Sequence, residues 1–275
     1  MMLSTKSTAT LDQRSKELRK TILKTLAAAG RGHLGPAFSI VEIVRALYDH
    51  VLRFDPTDPH WPERDRFILS KGHGCVALYV MLVDKGFFPE DYLWSLCKVD
   101  GLLAGHPEHY TPGIEASTGA LGHGLSIGIG MALHAKIKRT GRKVFVLMGD
   151  GEINEGSVWE AAMSASKHKL ENLTAIIDYN KSQAYGSTRE VLDLEPLVDK
   201  WRAFGFSVKE VDGHDMAALR DVLGNTPATQ SKPTALICHT VKGKGIPLAE
   251  SNQKWHHKSK IGEDEIGVLI EALEA

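Results

Sequence analysis

Residues 144–159 read VFVLMGDGEINEGSVW, and this stretch decides how the chain folds. Its five leading apolar residues predict a buried strand over 144–148, which stops abruptly at Gly-Asp-Gly. SVWEAAMSASKHK (157–169) is typical of a helix, and LTAIIDY (173–179) predicts a second buried strand, followed by Asn180. A strand, a helix and a strand in this order indicate a crossover between two parallel strands.

Strands and helices alternate along the rest of the chain as well. Further strands are predicted over 66–70, 206–212 and 234–241, and helices over 11–29, 39–52, 71–83, 122–139 and 263–274 and at about 195–204 and 215–224. Strands rich in Val and Ile that alternate with helices favour a mostly parallel sheet with helices on both faces. We therefore predict an α/β fold in which residues 1–275 form a single domain, with an irregular C-terminal tail from about residue 243.

Two of the predicted helices carry local signals of their own. Ser39 and Glu42 have the spacing of a capping box, which predicts that the helix over 39–52 begins at Ser39. In the helix over 122–139, Gly124, Gly128 and Ala132 recur every four residues. They lie on one face of that helix, which we expect to pack closely against a neighbouring backbone.

Composition and charge exclude several classes of function. A formal net charge of −1 gives no electrostatic reason for nucleic-acid binding, and no apolar run is long enough to span a membrane. The N-terminus has no apolar segment of the kind found in secretory signals. Three widely spaced cysteines, Cys75, Cys97 and Cys238, form no disulfide framework and are expected to be buried apolar residues. These features predict a cytoplasmic protein.

Asp150 and Asn180 are expected to meet at one edge of the sheet. Each follows a predicted strand, and ligands of open α/β sheets bind beyond the carboxyl ends of the strands. A carboxylate and an amide oxygen suit Mg²⁺ or Ca²⁺, but two side chains are too few to enclose the ion. Because Mg²⁺ completes its coordination with phosphate oxygens and water, the pattern predicts a diphosphate ligand, which the backbone at Gly151 can approach closely.

The combined motifs resemble one enzyme family. GDGEINEG…NLTAIIDYN (149–180) is similar to the thiamine diphosphate signature of transketolase-like enzymes, which begins at GDG and ends at Asn about thirty residues later. Further segments resemble transketolases in the same order along the chain, namely GRGHLGP (30–36), RDRFILSKGHG (64–74), GHPE (105–108), STGALGHGLSIGIGMA (117–132) and TVKGKGIPLAESNQKWHHK (240–258). The resemblance runs from about residue 25 to 258 and implies the diphosphate-binding fold of that family.

The resemblance also implies roles for individual residues. It implies a divalent metal, Mg²⁺ or alternatively Ca²⁺ or Mn²⁺, bound by Asp150, Asn180 and the carbonyl of Ser182. It implies cofactor contacts at the diphosphate, at the aminopyrimidine and beside the subunit contact, made by His73, Gly151, His256, Gly119, Leu121 and Glu155, and it counts Asn180 among the cofactor-binding residues as well. His33, His106 and His256 are implied to face the sugar and to move protons, for which imidazole is suited near neutral pH. His257 stands where the family has Gly, so either histidine of the pair fits the role of His256.

Members of the family need a second domain for the aminopyrimidine end of the cofactor. The resemblance therefore implies a partner, a pyrimidine-binding C-terminal subunit, in an assembly of the α2β2 type that acts on sugar phosphates. Three alternatives stay open at this point: an enzyme for an unusual catabolic sugar, a relative of deoxyxylulose-phosphate synthase, and a non-catalytic subunit. The loop GHLGPAF (32–38) favours the second, and the Trp-His pair at 255–256 favours a transketolase. A dinucleotide-binding dehydrogenase is excluded because no GxGxxG motif follows the first strand.

Overall fold

The computed structural model describes residue 7 and residues 9–274. Five strands form one parallel sheet in the order β1-β2-β3-β5-β4, where β1 is Arg66–Leu69, β2 Val144–Gly149, β3 Leu173–Tyr179, β4 Ser207–Asp212 and β5 Thr234–His239. The strands β2 and β3 are neighbours, as the sequence predicts, with Gly149 in register with Asp178. Of the predicted single domain, residues 1–6, 8 and 275 lie outside the described residues.

Helices cover both faces of the sheet. In chain order they are α1 (Gln13–Ala29), α2 (Leu34–Phe38), α3 (Val41–Ala46), α4 (Cys75–Asp84), α5 (Gly124–Lys138), α6 (Gly156–Lys167), α7 (Thr188–Val191), α8 (Leu197–Ala203), α9 (Met216–Gly224) and α10 (Glu263–Glu274). Because side chains alternate along a strand, Phe145 and Leu147 of β2 enter the core under α1, α3 and α4, whereas Val144, Val146 and Met148 enter the core under α5 and α6. The prediction of a parallel α/β sheet with helices on both faces is confirmed.

The small-residue face of α5 packs directly on the sheet. A Cβ atom added at Gly128 would lie 2.5 Å from Cγ2 of Val146, and one added at Gly124 would collide with Ser70. Ala132, the third residue of this face, is fully buried. The predicted close approach is confirmed, and it lets α5 lie directly against β2.

The predicted capping box at Ser39 is wrong. The chain forms two short helices there, and α3 begins after Ile40 and ends in a π-helical turn, Leu47–Val51. Ser39 Oγ donates instead to Asp178 Oδ2 at 2.7 Å, and Glu42 forms a buried ion pair with Arg19. Tertiary partners thus take both side chains: the hydroxyl of Ser39 satisfies a buried carboxylate, and the buried charge of Glu42 is balanced by Arg19.

Two further features differ from the sequence predictions or extend them. Cys75 and Cys238 are buried as expected, but Cys97 is exposed and has a positive φ of 59°. Among the described residues, no helix is both long and apolar enough to cross a membrane.

Candidate functional site

A cavity of about 310 Å³ lies beyond the carboxyl ends of β2, β3 and β5. These three strands are neighbours in the sheet, and the carboxyl ends of strands are where ligands of open α/β sheets bind. The residues that line it come from segments far apart in sequence and include His33, Pro36, Lys71, His73, Gly119, Leu121, Asp150, Gly151, Asn180, Ser182, Gln183, Lys242 and His256. The structure therefore brings most of the sequence-predicted site residues to one place.

Asp150 is a buried carboxylate at the base of this cavity. Only 3% of its surface is exposed, and its two oxygens accept hydrogen bonds from the backbone N–H groups of Gly151 and Lys181. Burial, followed by the charge of Asp178, raises the pKa of Asp150 to about 7. A carboxylate held in this way is stabilised in its charged form by a bound cation.

Asp178 lies beside Asp150 and connects four segments of the chain. Its carboxylate accepts hydrogen bonds from Ser39 Oγ, Lys71 Nζ, Asn180 Nδ2 and Thr240 Oγ1. Burial acts to raise the pKa of Asp178, but the charge of Lys71 and these hydrogen bonds outweigh burial and hold it below its ordinary value. Asp178 is therefore an ionised carboxylate at the end of β3 that accepts hydrogen bonds from four side chains.

The residues present fit a divalent cation with a diphosphate. Asn180 and Ser182 line the same cavity as Asp150, and the carbonyl of Ser182 accepts a hydrogen bond of 2.8 Å from Lys242 Nζ. Two buried polar nitrogens of the cavity, Gln183 Nε2 and His256 Nδ1, have no hydrogen-bond partner among the described atoms. Among the described residues, no group of three or more His, Cys, Asp or Glu side chains could hold a metal ion. A cation here consequently needs ligands from a bound anion, and the unpartnered nitrogens and two lysines suit that anion.

The histidines form a cluster around His33. Its ring centroid lies 5.5 Å from that of His73, 6.2 Å from that of His106, 5.7 Å from that of His256 and 4.5 Å from that of His257. Burial, followed by the neighbouring His257, lowers the pKa of His33 to about 4. Burial, followed by the charge of Lys242, lowers the pKa of His256 to about 3, and burial also lowers the pKa of His73. At neutral pH these three rings are therefore uncharged.

A second cavity, of about 170 Å³, lies on the other side of His33. His33 and His73 line both cavities, whereas His106 and His257 line only this smaller one. His256, by contrast, lines the cavity that contains Asp150. The two adjacent histidines thus face different spaces, and it is His256 that lies near the carboxylate.

The remaining predicted residues fall in two places. Gly119 and Leu121 line the larger cavity, and Gly119 has a φ of 139°, with its Cα so close to His106 that an added Cβ would lie 3.0 Å from the ring. Glu155 does not line the cavity, since it is exposed and packs beside Gly122 at the start of α6.

Four site residues were missed by sequence reasoning: Lys71, Asp178, Gln183 and Lys242. Both lysines are almost completely buried, at 1% and 2% exposure, and each lies in a glycine-containing segment that directly follows a strand. Their place directly after predicted strands was the available signal, because ligands of open α/β sheets bind beyond the carboxyl ends of the strands.

Comparisons with known proteins agree with this geometry. The family described as "Transketolase, thiamine diphosphate binding domain" matches residues 12–274. An apulose-4-phosphate transketolase subunit of Phocaeicola vulgatus is 44% identical over 96% of both chains. A 6-deoxy-6-sulfo-D-fructose transketolase subunit of a Clostridium species is 40% identical over 96% of both chains.

Solved structures show the same fold in longer chains. Transketolase from Leishmania mexicana superposes with a TM-score of 0.88 and 30% identity, over 96% of this chain and 41% of that one. Transketolase from Campylobacter jejuni gives a TM-score of 0.86 and 29% identity, over 95% of this chain and 43% of that one. From the matched family, the relatives and the shared fold, we conclude that this chain belongs to the transketolase family and comprises its thiamine diphosphate binding domain.

Proposed function

We propose that this chain is the diphosphate-binding N-terminal subunit of a two-chain transketolase. The reaction is the transfer of a two-carbon ketol unit from a ketose to an aldose, with thiamine diphosphate and a divalent metal. The observation that carries the proposal is the meeting of Asp150, Asn180 and the Ser182 carbonyl with Lys71 and Lys242 in one cavity. Three relatives that match the chain over nearly their whole length are named as subunits of transketolases, which supports a subunit rather than a complete enzyme.

In this proposal Asp150, Asn180 and the Ser182 carbonyl bind the metal, which is Mg²⁺, Ca²⁺ or Mn²⁺. The diphosphate lies against His73, His256 and the backbone at Gly151, and Gly119 and Leu121 lie against the aminopyrimidine. Lys242, whose pKa burial and the nearby Lys71 lower to about 8, carries most of its positive charge at neutral pH and adds to the attraction for the anion. When bound, the cofactor supplies the carbon nucleophile and the electron sink for the two-carbon unit.

The histidines perform the proton transfers at the sugar. His33 lines both cavities, His106 the smaller one and His256 the one that contains Asp150, and the lowered pKa values of His33 and His256 keep their rings neutral. A neutral imidazole accepts a proton from a sugar hydroxyl and returns it at the carbonyl oxygen. The smaller cavity beyond His33, with His106 and His257, is the space in which the rest of the sugar chain lies.

The partner in this proposal is a pyrimidine-binding C-terminal subunit, and the assembly is an α2β2 heterotetramer in the cytoplasm. Glu155, which is exposed beside the cavity, lies at the contact with the partner. The substrates are sugar phosphates or related anionic sugars. The relatives named for apulose 4-phosphate and for 6-deoxy-6-sulfo-D-fructose favour a sugar other than the common pentose phosphates.

Titration calorimetry with thiamine diphosphate tests the binding half of this proposal. We expect binding that requires Mg²⁺, that is lost on chelation, and that becomes tighter when the partner subunit is present. The variant Asp150→Asn is expected to lose the binding that depends on Mg²⁺. The control is Asp199→Asn, on the exposed side of α8, which is expected to keep that binding. Cofactor binding that is unchanged by chelation would contradict the proposed site.

A further inference from the structure

The side-chain amide of Asn180 has only one orientation compatible with its neighbours. Its Nδ2 lies 3.0 Å from Asp178 Oδ2, and its Oδ1 accepts from the backbone N–H of Ser182 at 3.1 Å. The carboxylate of Asp178 accepts from Lys71 Nζ, Ser39 Oγ and Thr240 Oγ1 and has no donor of its own to offer, so the nitrogen of the amide must face it. The oxygen of the amide is thereby turned away from Asp178, and Asn180 lines the cavity beside Asp150.

Asp178 itself is held firmly by groups from distant parts of the chain. Lys71 Nζ forms an ion pair with Oδ2 and also donates to the carbonyl of Pro36, and these groups are almost completely excluded from solvent. Ser39 and Thr240 add neutral hydroxyl donors from the α2–α3 junction and the end of β5. With four donors directed at it, the carboxylate has no freedom to rotate or to turn a proton toward Asn180.

We propose that Asp178 is a positioning residue for the metal: it fixes the amide of Asn180 so that an oxygen, and not the NH₂ group, faces the cation. This inference rests on the proposed function, because it assumes that a cation binds at Asp150 and Asn180. If the NH₂ group faced the cation, the site would lose a ligand and gain a repulsive dipole. Asp178 does not touch the cation in this account and acts only through Asn180.

The variant Asp178→Asn tests the inference, since an asparagine there can both donate and accept and so removes the acceptor-only partner of Asn180 Nδ2, while the N–H of Ser182 still donates to Asn180 Oδ1. The readout is the affinity for Mn²⁺, measured by electron paramagnetic resonance of the free ion at saturating thiamine diphosphate. We expect the variant to bind Mn²⁺ about 10–100-fold more weakly, the range found when a group that orients a metal ligand is removed. Far-ultraviolet circular dichroism and thermal melting check that the variant is folded.

The matched controls are Ser39→Ala and Thr240→Val. Each removes one buried hydrogen bond to Asp178 and leaves its contact with Asn180 in place. We expect both to melt at lower temperature while their Mn²⁺ affinity stays within about twofold of the wild type. Where Asp178→Asn alone does not fold, the double variant Asp178→Asn/Lys71→Met is compared with the wild type, because removing both charges avoids leaving one buried and unpaired.

The outcomes separate this inference from the proposed function. If the wild type binds no Mn²⁺ with thiamine diphosphate, the proposed function fails and this inference fails with it. If the wild type binds Mn²⁺ and Asp178→Asn binds it equally well, only the positioning role is overturned. The positioning role is also overturned if the three variants lose Mn²⁺ affinity in proportion to their loss of thermal stability.

Discussion

Replacing Glu42 with Gln is expected to destabilise the chain severely. Glu42 is 1% exposed and accepts hydrogen bonds from both terminal nitrogens of Arg19 and from His214 Nδ1. Burial acts to raise the pKa of Glu42, but the charge of Arg19 outweighs it and holds that pKa below the ordinary range, so the pair is ionised. Glu42→Gln therefore leaves a fully buried guanidinium without a counter-charge.

The size of the effect follows from this burial. Removing one partner of a buried pair costs about 3–5 kcal/mol, which is a large part of the roughly 5–15 kcal/mol by which a domain is stable. Arg19 keeps its hydrogen bonds to the carbonyls of Phe38 and Lys244, at 2.8 and 2.9 Å, but these do not neutralise its charge. The double variant Arg19→Met/Glu42→Gln removes both charges, and we expect it to be more stable than Glu42→Gln alone.

Urea unfolding of the isolated chain, followed by tryptophan fluorescence, measures these differences. The control is Asp199→Asn, which breaks the exposed pair with Arg202 at 60% and 67% exposure and is expected to change the free energy of unfolding by about 0–1 kcal/mol. The reasoning is refuted if Glu42→Gln costs no more than this control. The reasoning is also refuted if the losses in the free energy of unfolding of Glu42→Gln and Arg19→Met add up strictly to the loss in the double variant, because Arg19 and Glu42 are then not coupled.

Three further predictions concern the packing and the site. Gly128→Ala is expected to destabilise the chain by about 1–3 kcal/mol, because the added methyl group overpacks against Val146. At Gly130 an added Cβ meets nothing within 4 Å, so Gly130→Ala is expected to stabilise the chain by about 0.5–1 kcal/mol. Urea unfolding measures both changes. Asp150 must lose a proton to bind a cation, and its pKa is raised to about 7. The affinity for Mn²⁺ with thiamine diphosphate is therefore expected to fall about tenfold per pH unit below pH 7. An affinity that does not change between about pH 7 and pH 5.5 would contradict this. In the folded chain the pKa of His33 is lowered from 6.5 to about 4. The contribution of His33 to stability is therefore present above pH 6.5 and is lost as the pH falls toward 4. The difference in urea midpoint between the wild type and His33→Asn is expected to shrink over that range of pH.

The arrangement of the sheet edge was predictable from local patterns. Two apolar runs separated by a helix of the right length predict adjacent parallel strands, and the register of Gly149 with Asp178 confirms that adjacency. Once the strands are neighbours, Asp150 and Asn180 must lie together, because each directly follows its strand. The small-residue face of α5 was predictable for a similar reason, since its period alone places Gly124 and Gly128 on one side of the helix.

The contacts that hold the site together were not predictable in this way. Lys71 and Asp178 are 107 residues apart, and no local pattern indicates which lysine a buried carboxylate selects. The same limit explains the wrong capping box, because Ser39 and Glu42 have the right spacing but bind Asp178 and Arg19, which come from other parts of the fold. Cys97 was expected to be buried from its residue type, yet its place in a turn with positive φ exposes it beside the smaller cavity.

The most direct test of the central claim is a ketol-transfer assay on the chain with and without a pyrimidine-binding subunit. The assay contains thiamine diphosphate, Mg²⁺, an anionic ketose donor and an aldose acceptor. We predict no transfer by this chain alone, transfer after mixing with the partner, and loss of that transfer when Asp150→Asn replaces the wild-type chain in the mixture. Transfer by the chain alone, or undiminished transfer by a mixture containing Asp150→Asn, would contradict the assignment of this chain as the diphosphate- and metal-binding half of the enzyme.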